Sequence, residues 1–101
     1  MRESTIVRQI IAAVKRDYPT AWVRKLADRY TRGLPDLLIC WAGYTLFVEV
    51  KRPGGKLATI QALNRQQVIE NGNAWIVVES ALPVMAWMGG VVRRKRIAKE
   101  V

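Results

Sequence analysis

Histidine is missing from this 101-residue sequence, and cysteine occurs once, as Cys40. Without histidine there is no Ser-His-Asp relay and no imidazole acid–base catalyst. One cysteine cannot close an internal disulfide, and without histidine it cannot build a zinc site. Cys40 lies in the apolar run Leu37-Leu38-Ile39-Cys40-Trp41. There it reads as a small buried hydrophobe, since a reactive thiol needs a polar, electropositive and partly exposed setting. Long apolar runs are lacking too: none reaches the roughly 18 residues of a membrane span. Met1-Arg2-Glu3 leads into a segment charged at Arg8, Lys15 and Arg16, with neither the apolar centre nor the cleavage site of a secretory signal. A cytoplasmic protein without membrane association is the expectation.

Acids are scarce: 8 against 17 lysines and arginines, for a net charge of +9. On so small a chain this excess points to a polyanionic partner, nucleic acid first; solubility or attraction to an anionic membrane surface are the blander readings. Charge carries no information about catalysis. Half of the residues are hydrophobic, which is enough for a packed core and argues against disorder. The length fits one compact domain, and a domain this small gains stability from a partner subunit.

Ile6, Val7, Ile10, Ile11 and Val14 recur at helical spacing and predict a helix over residues 3–16. It is ended by Asp17 and Tyr18-Pro19, because a residue before proline avoids the helical region. A strand follows at 21–27, then a polar and basic loop from Asp28 to Pro35, then a short apolar strand at 36–41. Ala42-Gly43 makes a tight turn into an antiparallel strand, Tyr44 to Lys51, which Pro53-Gly54-Gly55 breaks. A second helix is expected over 58–70, stopped at Asn71-Gly72, and a strand from Ala74 to Glu79. A third helix, capped by Ser80, should run through Met88 and end at Gly89-Gly90. On this reading residues 1–90 form the domain and 91–101 a basic C-terminal tail. The order helix, three strands, helix, strand, helix is α/β: a mixed sheet of about four strands flanked by helices.

The chemistry concentrates in Leu46-Phe47-Val48-Glu49-Val50-Lys51. Side chains alternate along a strand, so Leu46, Val48 and Val50 share an apolar face, while Glu49 and Lys51 point together to the other, beside Phe47. A carboxylate and an ammonium in such a strand are costly to bury unless paired or bound to something. Taken alone, Glu-x-Lys reads as an ion pair at a sheet edge. Asp36 changes the reading. It opens the preceding strand after Gly33-Leu34-Pro35, and antiparallel pairing brings it beside Glu49. Two carboxylates so placed repel unless a cation lies between them. Oxygen ligands completed by water suit Mg²⁺ or Mn²⁺, which would polarise a phosphate oxygen and acidify a bound water. Lys51 could hold the attacking water or neutralise transition-state charge.

Gly33-Leu34-Pro35-Asp36, Glu49-Val50-Lys51, Gly55-Lys56-Leu57 and Gln61 together resemble the virus-type replication-repair nuclease domain (VRR-NUC) of the PD-(D/E)XK superfamily. The resemblance runs from Glu3 to about Ser80. It implies a restriction-endonuclease-like core, with Asp36, Glu49 and the main-chain carbonyl of Val50 as metal ligands, Lys51 as the catalytic lysine and Gln61 in support. The family's Ser-Pro at the start of the second helix is here Ala58-Thr59, which removes the usual capping serine. Glu3 matches the family's acidic residue on the first helix. Its spacing from Ile6, Val7 and Ile10 independently puts it on the core-facing side; the alternative is a surface acid at a helix N-terminus.

The resemblance implies a divalent-metal-dependent DNA endonuclease. Its expected substrate is branched or Holliday-junction-like DNA in phage or bacterial replication, recombination and repair, and stand-alone family members are expected to act as homodimers. A nucleic-acid-binding module on the same fold without cleavage, and a basic interaction protein, are the competing readings. Arg29, Arg32, Arg52 and Lys56 flank the centre as phosphate contacts or as solvated loop charges. Arg93, Arg94, Lys95 and Arg96 form either a backbone-binding arm or a solubilising tail. Trp22, Trp41, Trp75 and Trp87 read first as core, then as an interface.

Overall fold

The computed structural model describes all residues except Arg29 and Val101, and except the side chains of residues 96–100. The apolar periodicity near the N-terminus becomes α1 (Glu3–Asp17), which buries Ile6, Val7, Ile10 and Val14. Three antiparallel strands follow: β1 (Trp22–Lys25), β2 (Leu37–Trp41) and β3 (Tyr44–Val50). Then come α2 (Thr59–Glu70), β4 (Ala74–Val78) and α3 (Leu82–Glu100). The sheet order is β1-β2-β3-β4, with β4 parallel to β3. The mixed four-stranded sheet and the element order are those expected. The hairpin turn at Ala42-Gly43 has both residues at positive φ, 53° and 87°, the conformation that matches strand twist in a two-residue turn.

The register sorts the sheet into two unlike faces. Pairing of Leu37 with Val48 and Ile39 with Leu46 places these residues on one face with Val23, Val50 and Val78. That face is covered by α1 and by Val84 and Met88 of α3, and it forms the core. The opposite face carries Phe47, Glu49, Trp75 and Val77 in matching register. The helix that covers it is α2, which has no buried residue.

One expectation fails at the C-terminus. The third helix starts at Leu82, with Met85 N donating to Ala81 O (3.1 Å), and not from a cap at Ser80. It passes through Gly89-Gly90 without a break, so residues 91–100 continue the same helix. Each glycine disfavours a helix by about 1 kcal/mol relative to alanine. Met88 and Val91 on either side are fully buried, and each such burial contributes about 1.5–3 kcal/mol. Burial outweighs the glycines.

Candidate active site

The site assembles where β2 begins and β3 ends. Asp36 N donates to Val48 O at 2.9 Å, although Leu37 is the register partner of Val48. Two successive residues thus share one partner, as in a β-bulge, a device that re-aims side chains at sheet ends. The Asp36 carboxylate is turned onto the end of β3, where Val50 N donates to its Oδ2 at 2.7 Å. Lys51 N faces β4, donating to Val78 O at 2.9 Å. Because backbone groups alternate sides along a strand, the N–H and carbonyl of Val50 both face the Asp36 side.

Glu49 occupies the other face of β3 and is only 2 % exposed. Lys51 Nζ lies 3.9 Å from Glu49 Oε1. Gln61, in the first turn of α2, accepts from Ala58 N through Oε1 (3.1 Å) and donates through Nε2 to Glu49 Oε2. The first bond is the half of a capping box that needs no capping serine, and it fixes which end of the amide meets Glu49. Glu3 reaches the same end of the sheet from α1: its Oε2 accepts from Arg52 N at 3.2 Å. Asp36, Glu49, Val50, Lys51, Gln61 and Glu3 are therefore brought together.

Burial pushes the Glu49 carboxyl up to about 8, helped by its hydrogen bond to Asp36 and by the charges of Asp36 and Glu3, with Lys51 opposing. A carboxylate held so close to another keeps a proton unless a cation replaces it. Among the described residues no group of three or more His, Cys, Asp or Glu side chains forms a metal cage. The donor set offered is two carboxylates beside a backbone carbonyl. Such an oxygen set, completed by water, suits Mg²⁺ or Mn²⁺.

The basic residues divide. Arg32, Arg52 and Lys56 are exposed on loops next to the site; Arg29 lies outside the described residues. Arg93, Arg94 and Lys95 are exposed on α3; the Arg96 side chain lies outside the described residues. Arg94 and Lys95 sit 5.1 and 5.9 Å from the ring centroid of Tyr44, the first residue of β3. Glu49 is five residues further along that strand, or roughly 17 Å at 3.3 Å per residue.

Sequence reading missed three residues here. Lys25 shares a pocket of about 200 Å³ with Glu3, Ser4 and Asp36. Its signal was available, because alternation puts it on the same face as buried Val23, an unusual place for a lysine. Glu79 Oε1 accepts from Gly54 N at 3.4 Å, a second carboxylate holding the loop after Lys51. Asn64 Nδ2 donates to Arg32 O and Gly33 O, both at 3.0 Å, tying α2 to the loop that delivers Asp36. Nothing in the sequence marks these last two.

No family model and no curated protein matches the chain by sequence. Solved structures match it in fold. One, a VRR_NUC domain, superposes with a TM-score of 0.72 at 26 % identity, covering 86 % of this chain and 94 % of its own. Another, a VRR_NUC domain protein, gives a TM-score of 0.77 at 17 % identity over 92 % of this chain and 89 % of its own. The second shares the fold; the first shares fold and more than a quarter of its residues over nearly its full length. The chain therefore has the restriction-endonuclease-like core of the VRR_NUC domains it superposes on.

Proposed function

We propose that the domain is a divalent-metal-dependent endodeoxyribonuclease, selective for branched DNA. The observation that carries the reading is the convergence of Asp36, Glu49 and Lys51 at one sheet end, with Glu49 buried and its carboxyl held up to about 8. Asp36, Glu49 and the Val50 carbonyl would hold Mg²⁺ or Mn²⁺, which supplies charge to polarise the scissile phosphate and activate water. Lys51 holds the attacking water or neutralises charge gathering on the phosphate oxygens. Gln61 keeps Glu49 in place, and Glu3 fixes the start of the following loop. Histidine has no part in this scheme.

The test is incubation of the purified chain with junctions, flaps, splayed arms and plain duplex, in Mg²⁺, Mn²⁺ or EDTA. Cutting of branched forms that needs the metal and disappears in Glu49→Ala supports the reading. Undiminished cutting by Glu49→Ala overturns the site.

Two further elements belong to the same proposal. Arg32, Arg52, Lys56 and the basic end of α3 contact phosphates. Shortening the chain before Arg93 should then flatten the log–log salt dependence by about 0.9 for each phosphate no longer neutralised. The working unit is a two-fold homodimer, supported by exposed apolar residues such as Trp22 (45 %) and Leu82 (74 %). Light scattering should then report twice the 11.5 kDa chain mass. Two centres related by a two-fold axis match the paired cuts that a four-way junction requires. A phage or bacterial replication and repair setting is consistent with such a substrate.

A further inference from the structure

The face of α2 turned toward the sheet has the wrong chemistry for a packed helix. Asn64, Gln67, Val68 and Asn71 follow one another at helical spacing, and all line a hollow of about 320 Å³ between α2, the sheet and the loop before Asp36. A helix lying on a sheet ordinarily fills this stripe with leucine, isoleucine and valine. Here three of the four positions are amides, while Ile60, Leu63 and Ile69 of the same helix are 43–54 % exposed.

Phe47 and Trp75, stacked with centroids 6.1 Å apart and planes 26° from parallel, form the floor. Asn73 completes the amide rim. Trp75 is 3 % exposed, and its Nε1 has no hydrogen-bond partner among the described residues. Asn64 has spent its donors on Arg32 O and Gly33 O, so it offers an acceptor. The hollow adjoins the active site on three sides. Phe47 is two residues from Glu49 on the same face of β3, Leu34 and Pro35 lead into Asp36, and Asn64 is one turn beyond Gln61.

An aromatic floor with an amide rim is the chemistry that holds a nucleobase. The ring stacks on the aromatic, and carboxamides read the polar base edge. A base inside a duplex presents neither its face nor its full edge, so only an unpaired or extruded base fits. We propose that this hollow is a base-binding pocket that takes one unpaired nucleobase of the strand held at Asp36 and Glu49. The domain then recognises single-stranded character beside the cut through this pocket, and charge on the phosphates elsewhere. The location of the strand rests on the nuclease reading; binding of the base does not.

Binding is therefore measured in EDTA, where no cutting occurs. An oligothymidylate and an abasic deoxyribose-phosphate chain of equal length carry equal charge and differ only in their bases. Wild type should bind the first about 5- to 150-fold more tightly, the range for one stacked base. Gln67→Leu/Asn73→Leu, which removes rim amides, and Phe47→Ala, which removes the floor, should lower oligothymidylate affinity toward that of the abasic chain. Both should leave abasic-chain affinity unchanged, and Trp22→Ala should leave the preference intact. If Phe47→Ala does not fold, the rim variant alone decides. Equal wild-type affinity for the two chains, or a preference that survives the rim variant, overturns the pocket. Absence of metal-dependent cleavage with the preference intact would overturn the nuclease reading and leave the pocket standing.

Discussion

The two faces of the sheet are built to opposite rules. The face toward α1 and α3 is apolar and fully packed: Leu37, Ile39, Leu46, Val48 and Val50 are 0 % exposed. The face toward α2 holds Glu49, Lys51 and an amide-lined hollow, and its covering helix buries nothing completely. Alternation along β3 makes this possible, because Leu46, Val48 and Val50 anchor the strand while Glu49 and Lys51 between them are left for chemistry. Stability is concentrated on one side so that the other can hold a buried carboxylate and open space.

That division can be broken from either side. The largest effect is expected at Lys51. Lys51→Ala should lower cleavage by about a thousandfold while the melting temperature stays close to wild type; an active Lys51→Ala protein would remove the lysine from the chemistry. On the packed face, Leu46→Ala should destabilise the fold by about 2–5 kcal/mol, read by thermal or urea denaturation. A cost below about 1 kcal/mol would mean that this face is less tightly packed than its burial implies.

Gly33→Ala probes the seam between α2 and the loop that delivers Asp36. Gly33 has φ +76°, and an added Cβ would lie 2.8 Å from Asn64 Nδ2 and 2.9 Å from Ile60 Cγ1. The expected cost is about 1–3 kcal/mol, with a larger fall in cleavage than in stability as Asp36 is displaced. An equal fall in both would mean that the loop does not position the site.

Glu49 gives the sign of the pH dependence. Its folded value, about 8, lies above the ordinary 4.5, so the folded state binds more protons than the unfolded state between those values. Stability of the metal-free protein should therefore fall as pH rises from about 5 to 8, and Glu49→Gln should flatten the fall. Affinity for Mn²⁺ should rise over the same interval, because the metal displaces that proton. A metal-free melting temperature that climbs through this range would contradict the assignment. The smallest effect belongs to the α2 surface: Leu63, 54 % exposed, should tolerate alanine within about 0.5 kcal/mol.

The packed face was legible in the sequence because it depends on periodicity. Ile6, Val7, Ile10 and Val14 announce α1, and the alternation in β3 is enough to separate core from site. Asp36, Glu49 and Lys51 were legible as well, since a tight turn at Ala42-Gly43 forces their strand ends together. What was hidden depends on contacts between distant segments. Gly89-Gly90 carries a strong local stop signal, and only the burial of Met88 and Val91 overrides it. The amides of α2 look like ordinary surface polar residues until the sheet is placed beneath them. Glu79 meets the loop after Lys51 only because β4 runs parallel to β3.

The distance along β3 from Tyr44 to Glu49 has a consequence for any polyanion that touches both the basic end of α3 and the active centre. A hydrogen-bonded central strand does not stretch, so the roughly 17 Å between them works as a fixed gauge. It equals about five base-pair steps at 3.4 Å each. A bound duplex must meet both ends of that gauge by its own bending and twist, since the protein has no give in that direction. Moving the basic residues one turn along α3 would change the gauge by up to about 5 Å and leave the strand untouched. Such a change would shift the cut relative to the gripped arm and leave the cutting chemistry as it was.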